Sequence, residues 1–182
     1  FYGAWLVTGD TPTVTKSNQL AAVLGVSTTT ECPYTIASWN IGNLGKSKTQ
    51  DSFDIMAKTL KSKNVDLVAV QEVTARNKFG AQAVAKLASA LSDTGEDWGY
   101  IVSDATLPDS SEVERYAFLF KKSKVSVNHD NPQLLVELQD AIEREPYYGT
   151  FSFKSKVLQQ NLKKTMLSIN AETTKKKKKK EV

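Results

Sequence analysis

The pattern of apolar and polar residues along the chain becomes regular from residue 34 onward. Residues 34–41, YTIASWNI, alternate with Ile36, Ser38 and Asn40 on one side, which is typical of a β-strand. Residues 66–73, DLVAVQEV, form a short and almost continuous apolar run, which predicts a strand buried on both faces. Later runs predict further strands at 98–102, 116–121, 124–127, 147–153 and 165–169.

Two segments between the first strands have helical spacing instead. Residues 51–63 and 79–91 each carry one stripe of apolar side chains at intervals of three and four positions. Residues 128–143 fit either a helix or a loop. Because helices come early and strands dominate later, the sequence predicts a layered α/β or α+β sheet protein.

Residues 1–33 differ from the rest and are interpreted as an N-terminal extension, with the main domain spanning residues 34–182. They are rich in Thr, Ser and Gly and contain one helix-like stretch at 17–24. The segment NQLAAVLGVSTTT also matches a DNA-binding helix-turn-helix, but Pro33 interrupts the second helix that this motif needs. A small packing extension is therefore favoured. Since the first residue is Phe1, we expect a processed product or a fragment.

Composition and charge restrict the function only weakly. No run of about 18 apolar residues is present, so no membrane-spanning segment is expected. Because Lys175–Lys180 contribute six positive charges to the net charge of +4, the other 176 residues carry a net charge of −2. The basic character thus belongs to a lysine run, which is more often a solvated segment than a specific binding site. The single Cys32 cannot form an internal disulfide.

Candidate chemistry lies where two of the predicted strands end. Asn40 ends the first strand, and Glu72 follows the apolar run DLVAVQ. A carboxylate that emerges from a buried strand needs a paired charge or a metal, and Mg²⁺ typically takes one or two protein carboxylates. A salt bridge between Glu72 and Arg76 explains the same spacing equally well.

Acids and arginines also stand together at the starts of two later strands. Glu114 and Tyr116 lie at the start of one, and Arg144 with Glu145 precedes the other. Such residues form either a solvated rim or a phosphate-facing surface of arginines with orienting acids. His129, the single histidine, is interpreted as a surface residue.

Four blocks, IASWNIGNLG, DLVAVQEV, ERYAFLFKKSKVSV and REPYYGTF, occur in an order and spacing that resembles the deoxyribonuclease I-like branch of the endonuclease/exonuclease/phosphatase superfamily. The resemblance covers residues 34–170, about three quarters of the chain. It implies a four-layer α/β sandwich, of which this chain would form the N-terminal portion, and metal-dependent hydrolysis of phosphodiesters, most often in DNA.

The same resemblance implies roles for individual residues. Asn40 and Glu72 would hold Mg²⁺, or Ca²⁺ or Mn²⁺ in its place, and Glu114 would orient a catalytic histidine. Tyr116 and Arg144 match positions near the nucleic-acid surface. Family nucleases often have an arginine two residues after the glutamate, whereas this chain has Thr74 there, with Arg76 as a nearby substitute.

A second departure concerns the family histidine itself. The strand that matches TMLSI ends in a catalytic histidine in the family, but here Asn170 takes that position. Asparagine does not exchange a proton near neutral pH, so acid–base assistance of about 10²–10⁴-fold would be lost. The family also continues beyond residue 182, so we expect either half of a secreted or periplasmic nuclease that a second fragment or subunit completes, or a catalytically inactive binding module.

Overall fold

The computed structural model describes residues 4–8, 34–76, 78–107, 113–128, 130, 132–138, 144–154 and 161–168, with backbone only at 4–8 and 161–168. Five strands form the main sheet: β1 (Ala4–Thr8), β2 (Thr35–Leu44), β3 (Leu67–Thr74), β4 (Trp98–Val102) and β5 (Glu114–Lys121). Their order is β1-β2-β3-β5-β4. Strands β2 and β3 are parallel, and the other neighbouring pairs are antiparallel.

Two helices cover one face of the main sheet. Helix α1 (Gln50–Ser62) begins where the Thr49 hydroxyl accepts a hydrogen bond from the Ser52 N–H, a side-chain N-cap. Helix α2 is Phe79–Ser92. The apolar stripes of both helices pack on one set of strand residues that includes Val68, Val70 and Leu119.

A second sheet covers the other face. Strand β8 (Tyr147–Lys154) pairs antiparallel with β6 (Val125–Val127), β7 (Gln133–Leu134) and β9 (Asn161–Ser168). A 3₁₀ turn, Val136–Leu138, follows β7. Aromatic rings from β5 and β8, including Phe118 and Phe151 with centroids 5.1 Å apart, fill the space between the sheets.

The described residues therefore form three layers of helices, main sheet and second sheet, and the predicted α/β class is confirmed. The strand predicted at 66–73 is buried on both faces, because Leu67 and Ala69 face the second sheet while Val68 and Val70 face the helices. The undecided stretch after residue 127 contains β7 and the 3₁₀ turn.

Strand β1 is the main element that sequence analysis missed. It adds an edge strand beside β2, with Thr8 opposite Thr35 and Ala4 opposite Trp39. Part of the predicted extension therefore belongs to the main sheet. The helix predicted at 17–24 lies outside the described residues.

Candidate active site at one end of the main sheet

A β-bulge sets the direction of the Glu72 side chain. On β3, Val70 pairs with Ala117 and Val73 pairs with Arg115, so two residues of β3 lie opposite one residue of β5. Val70 and Val73 consequently both face the helices, although regular alternation would have placed residues 70 and 72 on that face. The extra residue removes Glu72 from the apolar core, and bulges often have this role beside active sites.

The backbone of Glu72 also adopts an uncommon conformation. Its φ angle is +59°, in the left-handed region that costs a residue with a Cβ about 1–2 kcal/mol. Gly42 (φ +66°) and Asn43 (φ +52°) share this region near the end of β2, where its register with β3 shifts. Such conformations cluster at functional sites, where surrounding contacts maintain them.

Hydrogen bonds join the last residues of β2 to the Glu72 carboxylate. The Asn40 side-chain amide donates to Glu72 Oε1 at 2.7 Å, and the Asn43 N–H donates to Oε2 at 3.3 Å. Asn40 Oδ1 in turn accepts from the Gly42 N–H at 2.9 Å. The structure thus brings Asn40 and Glu72 together, as expected for the ends of neighbouring parallel strands.

The glutamate is held by neutral donors. Within the described part of the chain, no lysine or arginine makes a salt bridge to Glu72, and Arg76 lies exposed in the loop that follows β3. The salt bridge between Glu72 and Arg76 that the spacing allowed is therefore absent. Glu72 therefore has no ion-pair partner among the described residues.

A buried ion pair lies at the same end of the sheet. Glu114, the first residue of β5, pairs in register with Thr74 at the end of β3. Its carboxylate lies 3.5 Å from Arg144 Nη2, and the Arg144 side chain is only 2% exposed. Next to it, the buried Glu145 carboxylate accepts the Leu107 N–H at 3.1 Å through both oxygens. Arg144 and Glu145 thus do not form a solvated rim.

Tyr116 is placed in the core between the sheets. Its side chain is fully buried, and its ring stacks on Tyr147 with centroids 6.5 Å apart. Burial, and to a smaller extent Asp104, raises the pKa of Tyr147 to about 12, so this hydroxyl stays protonated near neutral pH. Both rings therefore belong to the packing between the two sheets, and the Tyr147 hydroxyl adds no charge there.

Comparison with known proteins finds a relative that matches part of the chain. A stretch of 120 residues, 64% of this chain, is 28% identical to human deoxyribonuclease gamma. The resemblance to the deoxyribonuclease I-like family is confirmed. The match spans 38% of deoxyribonuclease gamma, and no protein-family model matches the chain.

The chain also has partial matches among solved structures. An endonuclease/exonuclease/phosphatase family protein from Leptotrichia buccalis C-1013-b is 16% identical, with a TM-score of 0.47 over 74% of this chain and 54% of its own. One from Bacteroides thetaiotaomicron is 17% identical, with a TM-score of 0.45 over 74% of this chain and 50% of its own.

The predicted metal residues fit a hard cation that keeps some of its coordinated water molecules. The Glu72 carboxylate lies beside the amide nitrogen of Asn40, and the described residues contain no cluster of three or more His, Cys, Asp or Glu side chains. Mg²⁺ is usually bound by one or two protein carboxylates, with waters and substrate phosphates completing its coordination. The donor set therefore suits Mg²⁺ better than a closed site built from protein ligands alone.

The remaining predicted residues have different outcomes. Asn170, His129 and the lysine run lie outside the described residues, so their roles stay predictions. The nucleic-acid contacts expected of Arg76, Tyr116 and Arg144 also stay predictions, although the buried Tyr116 and Arg144 do not present their side chains to solvent. None of the described helices is long and apolar enough to span a membrane.

Sequence analysis missed two features of this site. The bulge at Glu72 depends on how β3 pairs with β5, which apolar periodicity does not reveal. The one available signal was the spacing of Val70 and Val73, two apolar residues on either side of a polar pair within a buried strand. The link between Glu114 and Arg144 joins positions 30 residues apart and needs the second sheet to form.

Proposed function

We propose that this chain carries part of the active centre of a metal-dependent endonuclease that hydrolyses phosphodiester bonds in nucleic acid, DNA in particular. The observation that carries the proposal is the pairing of Asn40 with Glu72 at a bulged, left-handed strand end. A strained backbone around a carboxylate held by neutral donors is the pattern of a site that binds a ligand.

In this proposal Glu72 and Asn40 hold the metal ion, Mg²⁺ or alternatively Ca²⁺ or Mn²⁺. When bound, such an ion would neutralise charge on a phosphate oxygen and lower the pKa of a bound water. The hydrogen bonds from Asn40 and Asn43 orient the carboxylate before the ligand arrives, which lowers the ordering cost of binding.

Glu114 and Arg144 act as a charged support beside this site. Their ion pair is largely buried, so the guanidinium position is fixed relative to the end of β3. Glu114 is proposed to orient the group that transfers the proton. Asn170 occupies the family position of that group, and Arg76 is proposed to contact the nucleic-acid backbone from the exposed loop.

The proposal that DNA is the substrate rests on the similarity to deoxyribonuclease gamma, of which the chain matches 38%. Completion of the sandwich by a second fragment or subunit is part of the proposal, as is a secreted or periplasmic location. One observation favours a second candidate, a binding module that has lost catalysis, because Asn170 replaces the expected histidine.

Nicking of a supercoiled plasmid tests the proposal. The chain is assayed with Mg²⁺, with EDTA, as Glu72→Gln, and as Glu137→Gln, which removes an exposed carboxylate in the 3₁₀ turn. Nicking that needs both the metal and Glu72, and that persists in Glu137→Gln, would support an endonuclease. Plasmid binding without nicking under any metal would favour the binding module.

A further inference from the structure

A basic pocket lies beside the Glu72 site, between the loop after β2 and helix α2. It encloses about 150 Å³, and its lining includes the lysines Lys46, Lys48 and Lys86 together with Phe79 and Gln82. Phe79, Gln82 and Lys86 lie three to seven residues apart and share one face of α2. None of these residues belongs to the predicted metal or catalytic set.

Two glycines allow the pocket to form. A Cβ at Gly45 would lie 2.4 Å from Thr74 Oγ1, and a Cβ at Gly80 would lie 1.9 Å from the Thr74 carbonyl oxygen. The loop after β2 and the first turn of α2 therefore approach Thr74 more closely than residues with side chains could. This approach places Lys46 Nζ 5.5 Å from the Phe79 ring centroid, a cation–π contact that holds one wall.

The positive charge of the pocket is not neutralised by any of the described residues. Among the described residues, no carboxylate lies within salt-bridge distance of the three lysines, and no carboxylate lines the pocket. The first turn of α2 contains no acidic residue either. Three ammonium groups around one small cavity repel each other, so an anion in the pocket would relieve that repulsion.

Hydrogen bonds link the pocket residues to the strand ends that carry the Glu72 site. Lys48 Nζ donates to the Ile41 carbonyl oxygen at 3.4 Å, one residue after Asn40 on β2. The Thr74 hydroxyl donates to the Leu44 carbonyl oxygen at 3.2 Å and joins the end of β2 to the end of β3. An extended polyanion bound at Glu72 would therefore meet the lysines next.

We propose that Lys46, Lys48 and Lys86 bind a backbone phosphate of the nucleic acid, on the helix side of the Glu72 site. The inference rests on the proposed function, which supplies nucleic acid as the ligand. The ligand chemistry is a phosphodiester monoanion, and the lysines act as point charges that position the strand without reading its sequence.

The test measures binding of a labelled DNA duplex in EDTA, so that no hydrolysis is required. The variant Lys46→Gln/Lys48→Gln/Lys86→Gln is compared with Lys58→Gln/Lys63→Gln/Lys122→Gln, which removes the same charge. The control lysines are exposed and lie in the second half of α1, at its C-terminus and after β5, away from the Glu72 end of the sheet.

The pocket variant is expected to lower the slope of log K against log salt concentration by about 0.9 or more, because one phosphate contact is lost. The control variant is expected to keep the wild-type slope. Equal slopes for the two variants, or no binding by the wild-type chain, would overturn the inference. Nicking with Mg²⁺ reports separately on the proposed function.

A second arm separates a nucleic-acid backbone from free phosphate. NMR signals of the lysine side-chain CH₂ groups next to the ammonium are followed during titration with inorganic phosphate and with the duplex. Shifts of Lys46, Lys48 and Lys86 with the duplex at lower concentrations than with phosphate support the inference. Shifts with phosphate alone would assign the pocket to a small anion and contradict it.

Discussion

Two carboxylates flank the same strand, and the protein surrounds them differently. Asp66, directly before β3, is 2% exposed and pairs with Lys121 at 3.0 Å and Lys124 at 2.9 Å. Glu72, near the other end of β3, is held by an amide and a backbone N–H. Among the described residues, Asp66 has two lysine partners, whereas Glu72 has no ion-pair partner. The contrast separates a structural ion cluster from the site at which we propose a bound cation.

The largest effect is expected at the Asp66 end of β3. Asp66→Asn leaves Lys121, whose side chain is only 10% exposed, without its buried partner. We expect a loss of about 3 kcal/mol in the free energy of unfolding, the low end for a broken buried pair, because Lys121 keeps only the partly exposed Glu96, 3.3 Å away, as a carboxylate partner. Urea unfolding measures it. Asp97→Asn, which breaks an exposed pair with Lys122, is the control, and an equal loss in both would break the comparison.

At the Glu72 end of β3, stability depends on how closely the first turn of α2 approaches the backbone of Thr74. Gly80→Ala would place a Cβ 1.9 Å from the Thr74 carbonyl oxygen, so we expect a loss of about 2 kcal/mol from overpacking. Alanine normally favours a helix over glycine, which makes the expected sign unusual. Ser89→Ala, at an exposed position of the same helix, serves as the neutral reference in the same unfolding experiment. A stabilised Gly80→Ala variant would contradict the packing described.

The left-handed backbone at residue 72 gives a smaller effect. Glycine adopts a φ of +59° without steric cost, so Glu72→Gly should be more stable than Glu72→Ala by about 1 kcal/mol. The two variants remove the same carboxylate and differ only in backbone freedom. Equal stabilities would show that the protein does not hold residue 72 under strain.

One further effect is visible only at high pH. Burial first, and then Asp104, raises the pKa of Tyr147 from 10.0 to about 12. Its contribution to stability is complete below pH 10 and is lost as the pH rises towards 12, because the unfolded chain releases the proton first. Tyr147→Phe should flatten that decline in unfolding free energy, while Tyr100→Phe, at an exposed ring, should leave it unchanged. A decline that is equally steep in Tyr147→Phe would contradict the assigned burial.

The contrast also explains what the sequence could predict. Strand β3 and both helices follow from apolar periodicity, while a joint role of Asn40 and Glu72 was implied by the resemblance to the deoxyribonuclease I-like family. The bulge, the pairing of Glu114 with Arg144 and the lysine pocket arise from register or from contacts between distant segments. Strand β1 was missed because its short apolar run, AWLVT, lies in a stretch rich in Thr and Ser and gains its stability from pairing with β2.

The central claim is that the charge of Glu72 is kept for an external cation. Titration with Mn²⁺, followed by the electron paramagnetic resonance of the free ion, tests it in the wild-type chain, Glu72→Gln and Glu137→Gln. We predict that Glu72→Gln weakens Mn²⁺ binding by at least about tenfold while Glu137→Gln binds as the wild type does. Equal Mn²⁺ affinity in the wild type and Glu72→Gln would contradict the claim.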